Sequence, residues 1–434
     1  MGRRSLCLRL CLWSAGVAAF RPFPPALARA TADVNPAPSR LLDPARLALI
    51  DQALAAAVRA GQLPGAVVRV ERLGSGRGAD TAREAYGCAV GLKALEPAPE
   101  PLDAATVYDC ASLTKGVVTA AVFARLMQDG AVQPDTAVRA LLPRFESDRG
   151  GAPITVGQLL THTSGLPAGL PLQPAWSGPQ SAQALAATRK PTHPPGTFFR
   201  YSDVNFILLG QIAQRVTGQG LDALAHAWFF QPLGMRDSGF RPLADPRAWA
   251  RVPLERIAPT EWDGEIGAAS PPPGTPMLRG QVHDPTARRM GGVAGHAGLF
   301  STAADLARFA RMVLQGGELD GARVLTPEAV ARMTVVATPP GLPEQRRLGW
   351  DIDSPFSRAR GRGYPRGSFG HTGFTGCSLW IDPFSRTFHV LLSNRVHPRT
   401  RESIVALYED VGTRAADAVM GFDFERLRGP VPPR

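Results

Sequence analysis

Ser112-Leu113-Thr114-Lys115-Gly116-Val117-Val118-Thr119-Ala120-Ala121-Val122-Phe123-Ala124-Arg125-Leu126-Met127 sets a hydroxyl and an amine three residues apart, at the head of a run that is apolar on nearly every side. A run without a polar face reads as a buried helix. Positions three apart share a helix face, so the Ser112 hydroxyl falls within hydrogen-bonding reach of the Lys115 amine. Burial disfavours an ammonium, and the reading therefore predicts a lysine of lowered pKa that can take the serine's proton. The chain has three lysines, Lys93, Lys115 and Lys190, among 48 Lys plus Arg, so a lysine in an apolar run is no by-product of composition. The same four residues also suit a plain helix start whose lysine reaches out to solvent. S-x-x-K recurs by chance, and further partners have to decide.

Working outward, Asp43-Pro44 reads as a capped helix start followed by an apolar stripe of Leu47, Ile50, Leu54 and Val58, ended by Gly61. Strand-like runs follow at 66–70, 85–90 and 107–110, and the Ser112 helix stops near Asp129-Gly130. From about 131 to 310 the pattern is helix and loop; Leu209, Ile212 and Val216 form one stripe, with Ser202 or Asp203 before it and Gly218 after. Strands return at 377–381 and 388–392 around Asp382-Pro383-Phe384-Ser385-Arg386, a hairpin signal, and a last helix covers roughly 401–420. Both faces of these strands are apolar, which predicts a sheet covered by helices on each side. The expected architecture is α/β (α+β): 43–125 and 310–425 build the sheet part, 126–309 form a mainly helical insertion, and the cleft between them holds the site.

At 434 residues, 44% hydrophobic and 20% charged, the chain is an ordinary globular sequence. Residues 1–30 differ, with Arg3 and Arg4 before the apolar run Leu10 to Phe20 and a small-residue site at Ala28-Arg29-Ala30, which predicts a cleaved secretory segment and a leader over 31–42. No other stretch is long and apolar enough to span a bilayer, so the expected location is the periplasm or the exterior. Removing that segment with its five arginines takes the net charge from +11 to +6, and the remaining basic residues form no aromatic-interleaved patch, which argues against nucleic-acid binding. Cys88, Cys110 and Cys377 would remain, an odd set without C-x-x-C spacing, so neither a disulfide framework nor a zinc knuckle follows.

Tyr201-Ser202-Asp203 and His371-Thr372-Gly373 follow Ser112-Leu113-Thr114-Lys115 in order along the chain. With Leu159 to Leu166, Pro195-Gly196-Thr197, Pro232-Leu233-Gly234-Met235 and Gly298-Leu299-Phe300-Ser301-Thr302, these motifs resemble the class C β-lactamase-related family of penicillin-binding proteins, esterases and D,D-peptidases, over roughly residues 40–420. The resemblance implies Ser112 as nucleophile, Lys115 and Tyr201 as its proton partners, and substrate contacts from Asp203, His371, Thr372, Gly373 and Phe374. The Phe374 and Ser112 N–H groups would form the oxyanion hole. Which of Lys115 and Tyr201 is the base stays open.

Two positions depart from the family pattern. Asp203 stands where an asparagine is usual and would either orient Lys115 or cap the helix after it; His371 replaces the usual lysine, with a charge that is optional near neutral pH. His162 reads as a packing residue. His296, in the run Gly291 to Gly298, would line the pocket or simply sit in a tight turn. His283, Asp284 and His296 lack H-E-x-x-H spacing, so no metal or other cofactor is expected. The segment Gln281 to Gly298 resembles a narrower branch of penicillin-binding-protein-4B-like proteins and muropeptide-salvage amidases, which implies a small-molecule or peptide substrate such as a muropeptide. An esterase on the same site and a non-catalytic binder are the alternatives.

Overall fold

The computed structural model describes residues 40–427 apart from 77–81, 149, 246–248, 250, 265–271 and 401. The expected secretory segment lies outside the described residues. Helix α1, Pro44–Arg59, starts where the sequence predicts: the Asp43 carboxylate accepts the Ala45 N–H at 2.9 Å, and Leu47, Ile50 and Leu54 are buried.

Among the described residues, eight strands form one antiparallel sheet: β1 Gly65–Leu73, β2 Arg83–Ala94, β3 Glu100–Pro101, β4 Gln345–Arg346, β5 Asp351–Asp353, β6 Phe369–Gly373, β7 Cys377–Asp382 and β8 Thr387–Ser393. Their spatial order is β3-β2-β1-β8-β7-β6-β5-β4. Strands far apart in sequence therefore meet in mid-sheet, with Ala66 opposite Ser393 and Arg72 opposite Thr387.

Four further helices position the site: α2, made of the π-helical turn Lys115–Ala120 and the α-helix Ala121–Gln128; α3, Asp203–Thr217; α4, Ala303–Leu314; and α5, Val405–Asp417. Strand alternation sorts them. Ala66, Val68, Val70 and Leu391 pack on α1 and α5, whereas Val67, Val390 and Leu392 join the larger cluster that holds α4, α2 and α3. Both faces of the sheet are thus covered, as the apolar strands require. Within the α4 face, Arg311 Nη1 donates to both oxygens of the fully buried Glu71 at 2.9 and 3.1 Å.

The α2 segment is the most enclosed helix of the site. Leu113 and every residue from Lys115 to Ala124 are buried, and a Cβ at Gly116 would come within 2.7 Å of the Trp350 indole. The indole therefore seats directly on the helix backbone. Among the described residues, no helix is long and apolar enough to cross a membrane.

Candidate active site

The turn before Ser112 is held from three sides. Tyr108–Asp109 pairs with Phe300–Ser301, and the buried Asp109 accepts the Ala111 N–H at 2.9 Å on one oxygen and the His283 N–H at 2.7 Å on the other. Ala111 has φ +45°, a left-handed conformation that a Cβ resists and that the Asp109 bond helps to hold. The third side is β6. A Cβ at Gly373 would lie 2.5 Å from the Cys110 carbonyl oxygen, so a glycine here lets the strand edge touch the turn.

One turn on, Lys115 Nζ lies 3.0 Å from Ser112 Oγ, 3.0 Å from the His296 carbonyl oxygen and 2.7 Å from Asp203 Oδ1. Burial pulls its pKa down, but the Asp203 carboxylate and Tyr201 outweigh burial and leave it raised above the ordinary value. The expectation of a lowered lysine is corrected: Lys115 rests as an ammonium, because Asp203 and Tyr201 together stabilise the charge more than desolvation opposes it. Asp203 opens α3 without capping it. Ser202 is the cap, its Oγ accepting the Asn205 N–H at 3.3 Å, so of the two roles left open for Asp203 the structure shows contact with Lys115.

Tyr201 stacks on His162, with ring centroids 4.4 Å apart, and its ring centre is 4.9 Å from Lys115 Nζ and 5.9 Å from the His371 ring. Its buried hydroxyl has no hydrogen-bond partner among the described residues. His162 is a packing residue with a purpose: fully buried, it accepts the Ser202 N–H on Nδ1 at 3.0 Å and supports the Tyr201 ring. His371 Nδ1 lies 2.7 Å from the Thr372 carbonyl oxygen, which makes Nδ1 the protonated nitrogen. Burial first, then the Arg346 and Lys115 charges, push its pKa well below the usual histidine value. His371 is therefore neutral at neutral pH, and the cationic role of the usual lysine is not its own.

These groups open onto a cavity of about 400 Å³ whose wall includes Ser112, Tyr201, Asp203, His371, Thr372, Gly373 and Phe374. Every one of those positions was named from the sequence. His296 is the exception. It is 1% exposed, its Nε2 pairs with Asp284 Oδ1 at 2.9 Å, and it serves Lys115 through its carbonyl. The expected substrate contact is thus corrected. A Cβ at Gly295 would lie 2.1 Å from the Phe206 carbonyl oxygen, so the loop presses on α3 and turns the imidazole inward. Among the described residues, the N–H groups of Ser112 and Phe374 donate to no protein acceptor, as an oxyanion site requires.

Sequence reasoning missed Arg346, Asp351 and Arg395, which also line the cavity. Arg346 is fully buried, 3.2 Å from Asp351, with Nε and Nη2 unpartnered. Their only trace in the sequence is charge set among apolar residues, at Arg346-Arg347 before Leu348 and at Arg395 after a strand. Among the described residues, one group of possible metal donors occurs, with atoms of Asp203, Asp284 and His296 within 4.8 Å of one another. The Lys115 ammonium already pairs with Asp203 there. Burial opposes ionisation of Asp284, but His296 holds its carboxyl well below the usual range.

A serine whose hydroxyl touches a buried ammonium, rather than the imidazole of a histidine–carboxylate pair, belongs to the class of lysine-assisted serine hydrolases. The family model described as Beta-lactamase matches residues 50–412, and the chain belongs to that family. It is a serine hydrolase of the β-lactamase and penicillin-binding-protein type. It is 32% identical over 333 residues to an Escherichia coli (strain K12) protein named "Putative D-alanyl-D-alanine carboxypeptidase", a match covering 73% of this chain and 75% of that one. Among solved structures, it superposes with a TM-score of 0.63 and 22% identity on "Crystal Structure of a Novel Penicillin-Binding Protein (PBP) Homolog from Caulobacter crescentus", covering 87% of this chain and 99% of that one. A TM-score of 0.64 at 21% identity, with the same coverage of 87% and 99%, relates it to "EstCE1, a hydrolase with promiscuous acyltransferase activity". These structural likenesses carry the fold alone.

Proposed function

We propose that the protein is an exported carboxypeptidase-type hydrolase of cell-wall peptides, working through an acyl-enzyme on Ser112. The observation that carries this reading is the 3.0 Å contact between Lys115 Nζ and Ser112 Oγ at the cavity wall. The name of the Escherichia coli relative supports the substrate class. Arg346 and Arg395 on the wall support it chemically, since guanidinium groups suit the terminal carboxylate of a peptide.

In this mechanism Lys115 is a fixed cation. It donates to Ser112 Oγ and the His296 carbonyl, pairs with the Asp203 carboxylate, and stabilises negative charge on the attacking oxygen. Tyr201 is the proton carrier: as Oγ bonds to the substrate carbonyl carbon, the phenol oxygen accepts the serine proton and passes its own to the departing amine. The Ser112 and Phe374 N–H groups hold the oxyanion. The amide C–N bond breaks, the amine leaves neutral, and water later cleaves the Ser112 ester.

The test is intact-mass spectrometry, with chromatography of products, on a peptide ending in D-Ala-D-Ala and on an N-acetylmuramyl-L-alanine peptide. The proposal expects release of D-alanine and a transient adduct that Ser112→Ala lacks. Brisk turnover of short acyl esters with neither peptide cleaved would sink the peptide assignment and leave an esterase.

A further inference from the structure

The cavity holds a second proton-transfer group that the mechanism above does not use. His283 lines the wall and is 4% exposed, and its Nε2 lies 2.8 Å from Oε2 of the buried Glu261. Glu261 is itself fixed: Oε1 accepts the Thr400 N–H at 2.8 Å, and Oε2 accepts the Thr400 hydroxyl at 3.1 Å. A carboxylate against Nε2 makes Nε2 the protonated nitrogen, which leaves the basic lone pair on Nδ1. Among the described residues, Nδ1 has no hydrogen-bond partner.

Two links place this imidazole relative to the nucleophile. The Asp109 carboxylate binds the His283 N–H and the Ala111 N–H together, so one rigid group sets the distance from His283 to the turn that carries Ser112. The ring also stacks on Phe374, centroids 5.7 Å apart at 21°, beside the expected oxyanion N–H. Tyr201 faces His371 near the start of the segment 371–374, whereas His283 faces Phe374 at its end. The site thus carries one proton group toward each end of the strand edge on which a substrate would lie.

We propose that His283, oriented by Glu261, is the general base of deacylation, taking a proton from the water that attacks the Ser112 ester. This rests on the acyl-enzyme reading above. Water oxygen bonds to the ester carbonyl carbon while His283 Nδ1 takes one of its protons. The intermediate collapses as the carbon–Oγ bond breaks, and Oγ takes a proton from the Lys115 ammonium with which it is in contact. The imidazolium then returns its proton through water to Lys115, so the acid product leaves and the resting protonation is restored. His283 is a catalytic residue in this step and Glu261 a positioning residue.

The experiment is stopped-flow hydrolysis of p-nitrophenyl acetate by the full-length protein, in which the nitrophenolate burst reports acylation and the steady phase deacylation. Ser112→Ala removes both phases. His283→Asn and Glu261→Gln are expected to keep the burst rate within about 3-fold while slowing the steady phase by about 10-fold or more, with acetyl-enzyme building up in the mass spectrum. If His283→Asn does not fold by circular dichroism, Glu261→Gln, which keeps the side-chain shape, carries the test alone. Equal loss in both phases, or no change in either, overturns the role of His283 and leaves the acyl-enzyme standing. A wild type without a Ser112-dependent burst overturns the acyl-enzyme and this inference with it.

Discussion

Asp203 holds Lys115 as an ammonium: Oδ1 and Nζ lie 2.7 Å apart, and Nζ reaches Ser112 Oγ from the same position. Asp203→Asn removes the anion but keeps the shape, so Tyr201 is left to oppose the burial of Lys115 and its pKa falls. If the ammonium is the working form, the alkaline limb of kcat/KM moves to lower pH by at least about one unit. A limb that stays in place would show that the charge on Lys115 is immaterial.

The same pair makes a signed stability prediction. A lysine raised in the folded state contributes stability that is fully present below its unfolded value of 10.5 and lost as pH rises through the folded value. Asp203→Asn should therefore cost stability at pH 7. We expect about 2 kcal/mol, less than for a fully buried pair because Asp203 is one-third exposed. The difference from wild type should shrink above pH 11, as read by urea unfolding.

Tyr201→Phe deletes a buried hydroxyl that has no partner, so the melting temperature should hold or rise slightly. Acylation should nonetheless slow by about 10²-fold or more, because the proton carrier is gone. Burst kinetics with an activated ester check this. An unchanged burst would move the proton route to another group.

Arg346→Met strands the buried Asp351 carboxylate and is expected to cost about 3 kcal/mol. The double change Arg346→Met with Asp351→Leu should recover most of that loss without recovering the substrate contact. KM would then rise for peptides with a free C-terminal carboxylate and stay level for their amides. Equal KM changes for both would show that Arg346 does not read the carboxylate.

His162, His371 and His389 are buried and pushed below the usual histidine value, each by desolvation first, His389 to about 4. A lowered histidine contributes stability that is present above its unfolded value near 6.5 and lost as pH falls through the folded value. Unfolding free energy should thus drop between pH 6.5 and 4, by about 1.4 kcal/mol per pH unit for each histidine still neutral. Replacing His389 by Phe should flatten the slope by about one proton, as measured by urea titrations at several pH values.

The motifs at Ser112, Tyr201 and His371 were legible because each is local, and helix α3 because its cap and its terminal Gly218, at φ +73°, are both written in the chain. The protonation of Lys115 was not, since burial and a distant carboxylate push it in opposite directions and only their separation decides. Arg346, Asp351 and Glu261 were invisible for a related reason. They lie in short strands and irregular segments, where no periodicity marks which way a charge points. In the sequence His283 carries a family resemblance and a poor metal spacing but no role; its pairing with Glu261 becomes meaningful once the fold joins them.

The central pairing of β1 with β8 has a consequence for biosynthesis. Strand β1 leaves the ribosome well before its partner, because β2 to β7 and helices α2 to α4 all lie between the two in sequence. Until then β1 and β7 are raw edges, open to mispairing. The sheet on which the Ser112 turn rests can therefore close only once β8 has been made.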